Sequence, residues 1–572
     1  MKSQQHYPLK ISTLCPVHIG CDEVYEPTNY VIEKIDDQSA LFEFDTQSVI
    51  KALLPAQREQ LNRLVNGKPN EAMIKGIQAF FYKNRHELLA YAKQFLPVAK
   101  GVAELYQHRI GKTAQIESGG KQVINKLEIQ RTFYNPHTAQ PIIPGSSIKG
   151  AIRTALLDSI NQGKPLQKNR QGKSENNQKL QNRLFKYNNR DMHQDPLRLI
   201  HIGDASYNPT QETKQDSGKE VRFAVNRAKK IKHKNGRQLQ SQAEEKGLYQ
   251  LLECLNGMNP SAFELQLSLQ TPQNIANLKA QNKLPDSQLQ WTLEELFTRC
   301  NQFYLPKLNK ELKLLHEMGY ADEAWLNQLE TLLTDTYLKR FENNQAMLLR
   351  LGRHSGAEAV TLDGIRSIKI MKGNKGKDSW EAEARTIWLS ASDEKSKQQM
   401  TPFGWVIIEH ETPNWQLPET DQQWAQKIHQ QQQQQRQAIK QKQAQVIAKQ
   451  QQQLEQEKRQ AEAAAQQQAA LEAAKNAMSE LAGEFYAEAQ ENNWETDKNA
   501  FLVAGKLENW IEKLQQNPDP ELQQQIETLL EKHFKGIMAN PEKTKGKKQK
   551  PVYSARMQGI VKQLIALKAE KS

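Results

Sequence analysis

One short segment of the chain combines residue types that bind phosphate groups. Gly145, Ser146 and Ser147 form a turn before a helix, and either serine is placed to cap the helix by accepting hydrogen bonds from free backbone N–H groups. Lys149 and Arg153, four residues apart, share a helix face away from the apolar stripe. A glycine turn, a helix N-terminus and two cations predict a phosphate cradle. A well-capped core helix is the alternative interpretation.

His18, two residues before Gly20, is the side chain most typical of acid–base chemistry. Because a single histidine without a visible partner is more often structural or a nucleic-acid contact, we expect no catalytic residue, and His18 and Gly20 are candidate nucleic-acid contacts. Asp195 and Asp204 do not predict a metal pair, since extended chain would separate them by about 30 Å. The four cysteines lack zinc-binding spacing, so we expect neither a metal nor another cofactor.

A glycine-rich segment follows a predicted helical region in the second half of the chain. Glycine lets a backbone approach a ligand closely, and backbone N–H groups bind phosphate oxygens. Arginine adds charge and stacks on unpaired bases. The segment therefore predicts a nucleic-acid contact, with a simple turn as the alternative, and its candidate residues are Arg350, Gly352, Arg353, His354, Ser355 and Gly356.

Positive charge is concentrated in three places. The chain carries a net charge of +13, whereas residues 164–193, 222–237 and 350–377 carry +6, +7 and +5, so the remainder is slightly acidic. Such clustering is typical of a surface that binds a nucleic-acid backbone. Residues 222–237 are predicted to form an exposed strand and turn, and their candidate contacts are Arg227, Lys229, Lys230 and Lys232.

The composition indicates several domains and a large polar portion. The chain has 572 residues, 37% of them hydrophobic, and a mean hydropathy of −0.79. We find no apolar run of membrane length and no secretory signal, so we expect a cytoplasmic protein without membrane contact.

The elements that must position these residues follow from local patterns. Residues 8–47 predict a strand, a loop and a hairpin, and residues 48–108 predict helices. Residues 197–202 predict one buried strand. A helix-forming but polar stretch begins near residue 416, and apolar periodicity returns near residue 479. We therefore expect two α+β domains, 1–205 and 206–415, then a Gln-rich helical or disordered linker, 416–478, and a small helical bundle, 479–572.

Four segments carry a family resemblance. Residues 144–153, Pro-Gly-Ser-Ser-Ile-Lys-Gly-Ala-Ile-Arg, resemble a motif of the RAMP superfamily of CRISPR-associated RNA-binding proteins. Residues 13–20, 195–206 and 349–362 resemble further segments of one branch of it. Their order is similar to that in the subunit that caps the crRNA 3′ end in type III-A (Csm) effector complexes. The resemblance covers roughly residues 8–412 and leaves the C-terminal part unassigned.

The resemblance implies an α+β fold with two ferredoxin-like (RRM-like) RAMP domains bearing helical insertions. It also implies a non-catalytic crRNA-binding subunit in antiviral defence, which caps the 3′ end of the crRNA and the backbone filament of a ribonucleoprotein complex. The implied partners are crRNA, target RNA, the neighbouring RAMP backbone subunit, other type III subunits and a host nuclease. The alternative is a RAMP-type endoribonuclease that processes crRNA or cuts target RNA.

Overall fold

The computed structural model describes residues 4–35, 38–111, 115–116, 122–123, 127–188, 190, 192–208, 218–230, 232–234, 237–239, 248–270, 284–370, 378–411, 419–503 and 505–569. The chain divides into two compact units, Met1–Ile447 and Ala448–Ser572.

Helices occur in both units. In chain order they are α1 (Thr46–Ala52), α2 (Pro55–Val65), α3 (Glu71–Lys83), α4 (Arg85–Leu88), α5 (Lys100–Arg109), α6 (Gly145–Asn161), α7 (Asn177–Leu184), α8 (Leu293–Glu317), α9 (Glu323–Leu332), α10 (Leu338–Glu342), α11 (Gly356–Val360), α12 (Glu419–Asn476), α13 (Glu480–Glu491), α14 (Lys498–Phe501), α15 (Lys506–Gln516), α16 (Pro520–His533) and α17 (Ala555–Ala569).

Most strands lie in the first unit. They are β1 (Gln4–Thr13), β2 (Gly20–Tyr25), β3 (Tyr30–Ile35), β4 (Gln38–Phe44), β5 (Ala92–Pro97), β6 (Gln115–Ile116), β7 (Gln122–Val123), β8 (Ile129–Thr132), β9 (Ile142–Ile143), β10 (Ile200–Ile202), β11 (Ala205–Tyr207), β12 (Lys219–Ala228), β13 (Lys232–Lys234), β14 (Arg237–Leu239), β15 (Tyr249–Leu255), β16 (Asn259–Gln270), β17 (Ala346–Arg350), β18 (Ile368–Ile370), β19 (Ser379–Glu381), β20 (Thr386–Ala391), β21 (Trp405–His410), β22 (Thr544–Lys545) and β23 (Lys550–Pro551).

The larger sheet runs in the order β17-β21-β1-β16-β11-β9, with β10 also beside β16. Strand β1 pairs antiparallel with both β16 and β21. Helices α6 and α8 pack against each other, and both contact β17. The hydroxyl of Tyr304 on α8 donates to the carbonyl of Ala151 on α6 at 3.1 Å. This face buries the apolar stripe of α6 that the sequence predicts, including Ile148, Ile152 and Leu156.

A second sheet runs in the order β2-β8-β15-β12-β20, and a smaller sheet, β3-β4-β5, carries its own apolar cluster. Both large sheets combine strands from the two halves of residues 1–415. Strand β1 pairs with β16 and β21, and β2 and β8 share a sheet with β12 and β20. The predicted division at residue 205 therefore does not separate one sheet from the other.

Two local predictions differ from the structure. Residues 197–202 were expected to form one strand, but Pro196–Leu199 is a 3₁₀ turn capped by Asp195, and only Ile200–Ile202 is extended. Proline at the first position fixes the backbone φ at a helical value, which favours the turn. Residues 222–237 were expected to form an exposed strand and turn, but residues 222–228 belong to β12, and the predicted turn at residues 235–236 lies outside the described residues. Strand β12 is central and largely buried, because its alternating Val221, Phe223 and Val225 pack into the core.

The C-terminal unit has a separate hydrophobic core. Helices α13 to α17 surround an apolar cluster that includes Phe485, Trp494, Trp510 and Ile526. Upstream of it, residues 419–476 form helix α12, where the sequence left helix and disorder as alternatives. Residues 540–551, which are rich in lysine, contain the short antiparallel pair β22–β23.

Candidate nucleic-acid interface

The glycine-rich loop after β17 is a tightly bonded turn. Gly352, His354 and Gly356 have φ of +76°, +65° and +75°, in the left-handed region that favours glycine. The Leu351 N–H donates to the Gly404 carbonyl at 2.8 Å. The Ser355 hydroxyl is buried and lies 3.0 Å and 2.7 Å from the carbonyl oxygens of Leu351 and Gly352. Ser355 therefore closes the loop from inside, which corrects its prediction as an RNA contact.

The loop docks on the segment that contains His18. The Arg353 N–H donates to the His18 carbonyl at 2.8 Å, and the Gly404 N–H donates to the Pro16 carbonyl at 3.0 Å. A Cβ atom on Gly352 would lie 2.3 Å from the His18 carbonyl oxygen, closer than nonbonded atoms tolerate. Two motifs more than 300 residues apart in sequence thus form one junction, and Gly352 permits its closest approach.

The His18 side chain lies under this junction. It is 0% exposed, and its Nδ1 lies 2.7 Å from the Glu253 carbonyl oxygen. Burial lowers its pKa, partly offset by that hydrogen bond, so the ring is neutral at neutral pH. Its Nε2 has no hydrogen-bond partner among the described residues. A buried neutral ring does not reach RNA at the surface, which corrects the prediction of a direct contact; Gly20, next to it, is exposed.

A buried ion pair lies on the interior side of the junction, next to His18. Lys219 Nζ lies 2.8 Å from Glu253 Oε1, and both side chains are fully buried. The Tyr25 hydroxyl donates to Glu253 at 2.8 Å, and the Thr132 N–H donates to its other oxygen at 2.9 Å. Removing either charge would leave the other buried and unpaired, which is strongly destabilising. Tyr25 is therefore a core residue, and so is Tyr30, another aromatic with the potential to stack on bases.

The exposed side of the junction is formed by Arg353 and His354. The Arg353 side chain is exposed and bonds the Gln130 side chain. The His354 ring stacks on Trp388 with centroids 4.6 Å apart, and its Nε2 lies 3.1 Å from Gln250 Oε1. Burial and the Arg353 charge lower the pKa of His354 to about 3. Arg353 therefore supplies the positive charge of the junction, and the neutral His354 ring holds the loop against Trp388.

Three other predicted cations have internal partners. Arg227 is buried and donates to the carbonyl oxygens of Ser396 and Glu394. Arg350 is buried, donates to Glu311 at 2.6 Å and lies over the Trp405 ring. These two predictions of direct RNA contact are corrected, because burial requires each guanidinium to be bonded inside the protein. The third, Lys229, forms an ion pair with Glu358.

The other two candidate contacts of residues 222–237, Lys230 and Lys232, lie beyond the end of β12. Lys230 is exposed. Lys232 begins strand β13, and its side chain lies outside the described residues.

The start of α6 differs from the predicted phosphate cradle. The N-cap is Pro144 without a side-chain hydrogen bond, so neither Ser146 nor Ser147 caps the helix. The Gly145 N–H donates instead to the Asp204 carboxylate at 2.8 Å. An acid already binds this helix N-terminus, which disfavours a phosphate at the same N–H group.

The cations of α6 also have protein surroundings. Arg153 pairs with Asp195, contacts Gln181 and lies over the Phe185 ring. Lys149 is half-buried, and desolvation lowers its pKa. Of the predicted cradle, Ser146 is exposed, and Ser147 and Lys149 are half-buried.

Trp380 is an exposed residue that the sequence interpretation missed. Its side chain is 64% exposed on β19, directly opposite Lys369 on β18. The hairpin β18–β19 precedes β20, and the hairpin β13–β14 follows β12. Ala228 at the end of β12 pairs with Thr386 at the start of β20, so both hairpins leave the same end of the second sheet. Alternating residues on both sides of a Gly/Asn/Lys-rich stretch were the available signal.

The described part of the chain holds neither a group of metal-binding side chains nor a membrane-spanning helix. There, no cluster of three or more His, Cys, Asp or Glu side chains has a metal-binding arrangement. None of the described helices combines the length and apolar character of a membrane span.

Comparisons with known proteins assign the family. A profile of the RAMP superfamily matches residues 10–327, more than half of the chain. The chain therefore belongs to the RAMP superfamily, as the sequence motifs predict. No curated protein matches it. Solved structures similar to it include T. onnurineus Csm5, with 16% identity, a TM-score of 0.39, and coverage of 70% of this chain and 100% of that chain. Another is a chain of a Csm–crRNA–target RNA ternary complex of a type III-A CRISPR-Cas system, with 15% identity, a TM-score of 0.40, and coverage of 71% and 100%.

Proposed function

We propose that this chain is a non-catalytic crRNA-binding subunit of a type III CRISPR complex, which holds the 3′ part of the crRNA and caps the backbone filament. The observation that carries the proposal is the junction between the glycine-rich loop and the His18 segment. Each segment resembles the RAMP family separately in sequence, and the fold brings the two together at the surface. The order of the motifs supports the position at the 3′ end.

The chemistry of the surface suits a single-stranded RNA backbone. Gly356 is exposed and has no side chain to keep a ligand from its backbone, Arg353 adds a charge beside it, and Lys230 adds another near the hairpins. Trp380 offers a ring on which a base can stack without sequence preference. Positive charge, open backbone and an aromatic face are the three components that sequence-tolerant binding of single strands requires.

The proposal extends to the fold and the partners. In this proposal each of the two large sheets belongs to one RAMP domain, and the sheet β3-β4-β5 with helices α1 to α3 is an insertion. The partners are crRNA, target RNA, the adjacent RAMP backbone subunit and other type III subunits, with a host nuclease as a further candidate. Exposed Ser146 and half-buried Lys149 at the start of α6 form a second candidate contact.

RNA binding is tested with the full chain and a labelled crRNA over a series of salt concentrations. Replacing Arg353 and Lys230 with glutamine removes two exposed charges. If both contact phosphates, the slope of log affinity against log salt becomes shallower by about 1.4. The matched control replaces Arg63 and Lys313, which are 75% and 76% exposed on helices, and keeps the wild-type slope. Equal slopes for the two variants would contradict the proposed surface.

The position on the guide and the absence of catalysis need a second experiment. In the assembled complex, photocrosslinks from a crRNA with 4-thiouridine at single positions are expected to reach this subunit from the 3′ part only. Crosslinks from the 5′ part alone would overturn the capping role. Labelled repeat RNA incubated with the purified chain is expected to stay intact. Strand scission that is lost in His18→Ala would establish the endoribonuclease alternative.

A further inference from the structure

The segment that contains the β22–β23 hairpin has a net positive charge, whereas the rest of residues 479–572 has a net negative charge. Residues 479–572 contain 14 basic and 14 acidic side chains. The other basic side chains are outnumbered by acids, so the charge of this segment is polarised toward one element. Five of the 14 basic side chains lie within eight residues, namely Lys543, Lys545, Lys547, Lys548 and Lys550.

Six cations elsewhere in residues 479–569 form ion pairs with carboxylates. Within the described residues, no ion pair involves Lys543, Lys545, Lys548 or Lys550, and all four are exposed. Even Glu542, the acid beside the hairpin, pairs with Lys562 on α17. The neutralised pairs are Lys506–Glu488, Lys513–Glu484, Lys532–Glu495, Arg556–Glu508 and Lys568–Glu527.

The strand register makes the concentration of charge unfavourable for the free protein. Lys545 lies directly opposite Lys550 in the antiparallel pair. Like charges at opposed positions destabilise a strand pair, and a two-stranded hairpin is marginal even without them. A bound polyanion would remove this repulsion.

We propose that residues 543–551 form a second RNA-binding element, which contacts the phosphate backbone without reading bases. The identity of the polyanion as RNA rests on the proposed function. The element itself lies outside the region that matches the RAMP profile. Lysine binds phosphate as a compact point charge. Residues 543–551 contain no aromatic or arginine side chain to stack on a base, so the contact is sequence-independent.

The test measures the salt dependence of RNA binding by two full-length variants that lose the same charge. The hairpin variant is K543Q/K545Q/K548Q/K550Q. The control, K506Q/K513Q/K532Q/K568Q, changes four paired lysines of the same unit. For four single-strand phosphate contacts, raising the salt from about 50 to about 200 mM should weaken wild-type binding about 50-fold more than binding by the hairpin variant. The control should behave as wild type. The probe is a labelled single-stranded RNA of mixed sequence, and labelled polyglutamate is tested in parallel.

The outcomes separate this inference from the proposed function. If the chain binds RNA but the hairpin variant keeps the wild-type salt dependence, the second element is refuted and the proposed function stands. If the hairpin variant loses only polyglutamate binding, the partner is an acidic protein surface and the RNA assignment is refuted. A chain that binds no RNA refutes both. The melting temperature of the hairpin variant should equal or exceed that of wild type, since repulsion is relieved; a decrease larger than that of the control would contradict the argument.

Discussion

Replacing Gly352 with alanine tests whether the close approach of the two loops forms the interface. The new Cβ would lie 2.3 Å from the His18 carbonyl oxygen and 3.0 Å from its carbon, so the backbones must separate. Separation weakens the 2.8 Å hydrogen bond from the Arg353 N–H, which is worth about 1 kcal/mol. The left-handed φ of +76° adds about 1–2 kcal/mol for a residue with a Cβ. We therefore expect a local destabilisation of about 2–3 kcal/mol.

Gly356→Ala is the matched control for this substitution. Gly356 has a similar φ of +75°, but its Cβ would meet only side-chain atoms, those of Glu358 at 3.3 Å and of Arg350 at 3.7 Å. Its cost should therefore be the conformational part alone. Hydrogen exchange of the peptide covering the loop measures the difference. Gly352→Ala should exchange about fivefold faster than Gly356→Ala, because the remaining difference of about 1 kcal/mol corresponds to a factor of about five. Equal exchange rates in the two variants would refute the argument that contact with His18 holds the loop.

Further predictions concern α6, the exposed tryptophan and pH. Gly145→Ala should lower the melting temperature, since its Cβ would lie 2.3 Å from the Ile202 carbonyl oxygen, at a cost of about 1–3 kcal/mol. Gly150→Ala, in open space on the same helix, should raise it by reducing chain entropy; shifts of the same sign would contradict this. Trp380→Ala should weaken binding of single-stranded RNA by about 1–3 kcal/mol at unchanged salt slope, and an unchanged affinity would exclude stacking. The folded pKa of His354, about 3, lies below its unfolded value of 6.5, so the unfolded chain binds the extra proton and stability falls below pH 6.5. In urea unfolding at pH 7 and pH 5, wild type should lose up to about 2 kcal/mol of unfolding free energy on acidification that His354→Asn retains.

Local patterns in the sequence predicted the elements better than their pairing. The pattern of residues 8–47 predicted β1 and the antiparallel pair β3–β4, and the apolar stripe away from Lys149 and Arg153 predicted the buried face of α6. The sequence did not indicate that Leu9 lies opposite Leu265, because strand pairing depends on contacts between distant segments. The interleaved sheets, which cross the predicted boundary at residue 205, follow from that non-local pairing.

The candidate site was predicted in part. Glycines in residues 349–362 and near His18 marked both loops, but not their contact, which depends on the position of β17 at the edge of the larger sheet. The expected serine cap of α6 was wrong, because the helix begins at Gly145 and both serines lie inside its first turn. The carboxylate of Asp204 accepts the hydrogen bond of the Gly145 N–H instead. A capping group distant in sequence has no local signal.

Counts of positive residues were the least reliable guide to the interface, for a physical reason. A cation in the interior must be paired or bonded to carbonyl groups, so a basic cluster that contains core strands includes structural charges. Arg227 and Arg350 belong to this class, whereas Arg353 and Lys230, close to them in sequence, are exposed. The useful quantity is therefore positive charge that is both exposed and without a carboxylate partner. By that measure Lys545 and its neighbours in the C-terminal hairpin hold more available charge than the described cations of residues 222–230, although no family motif marks them.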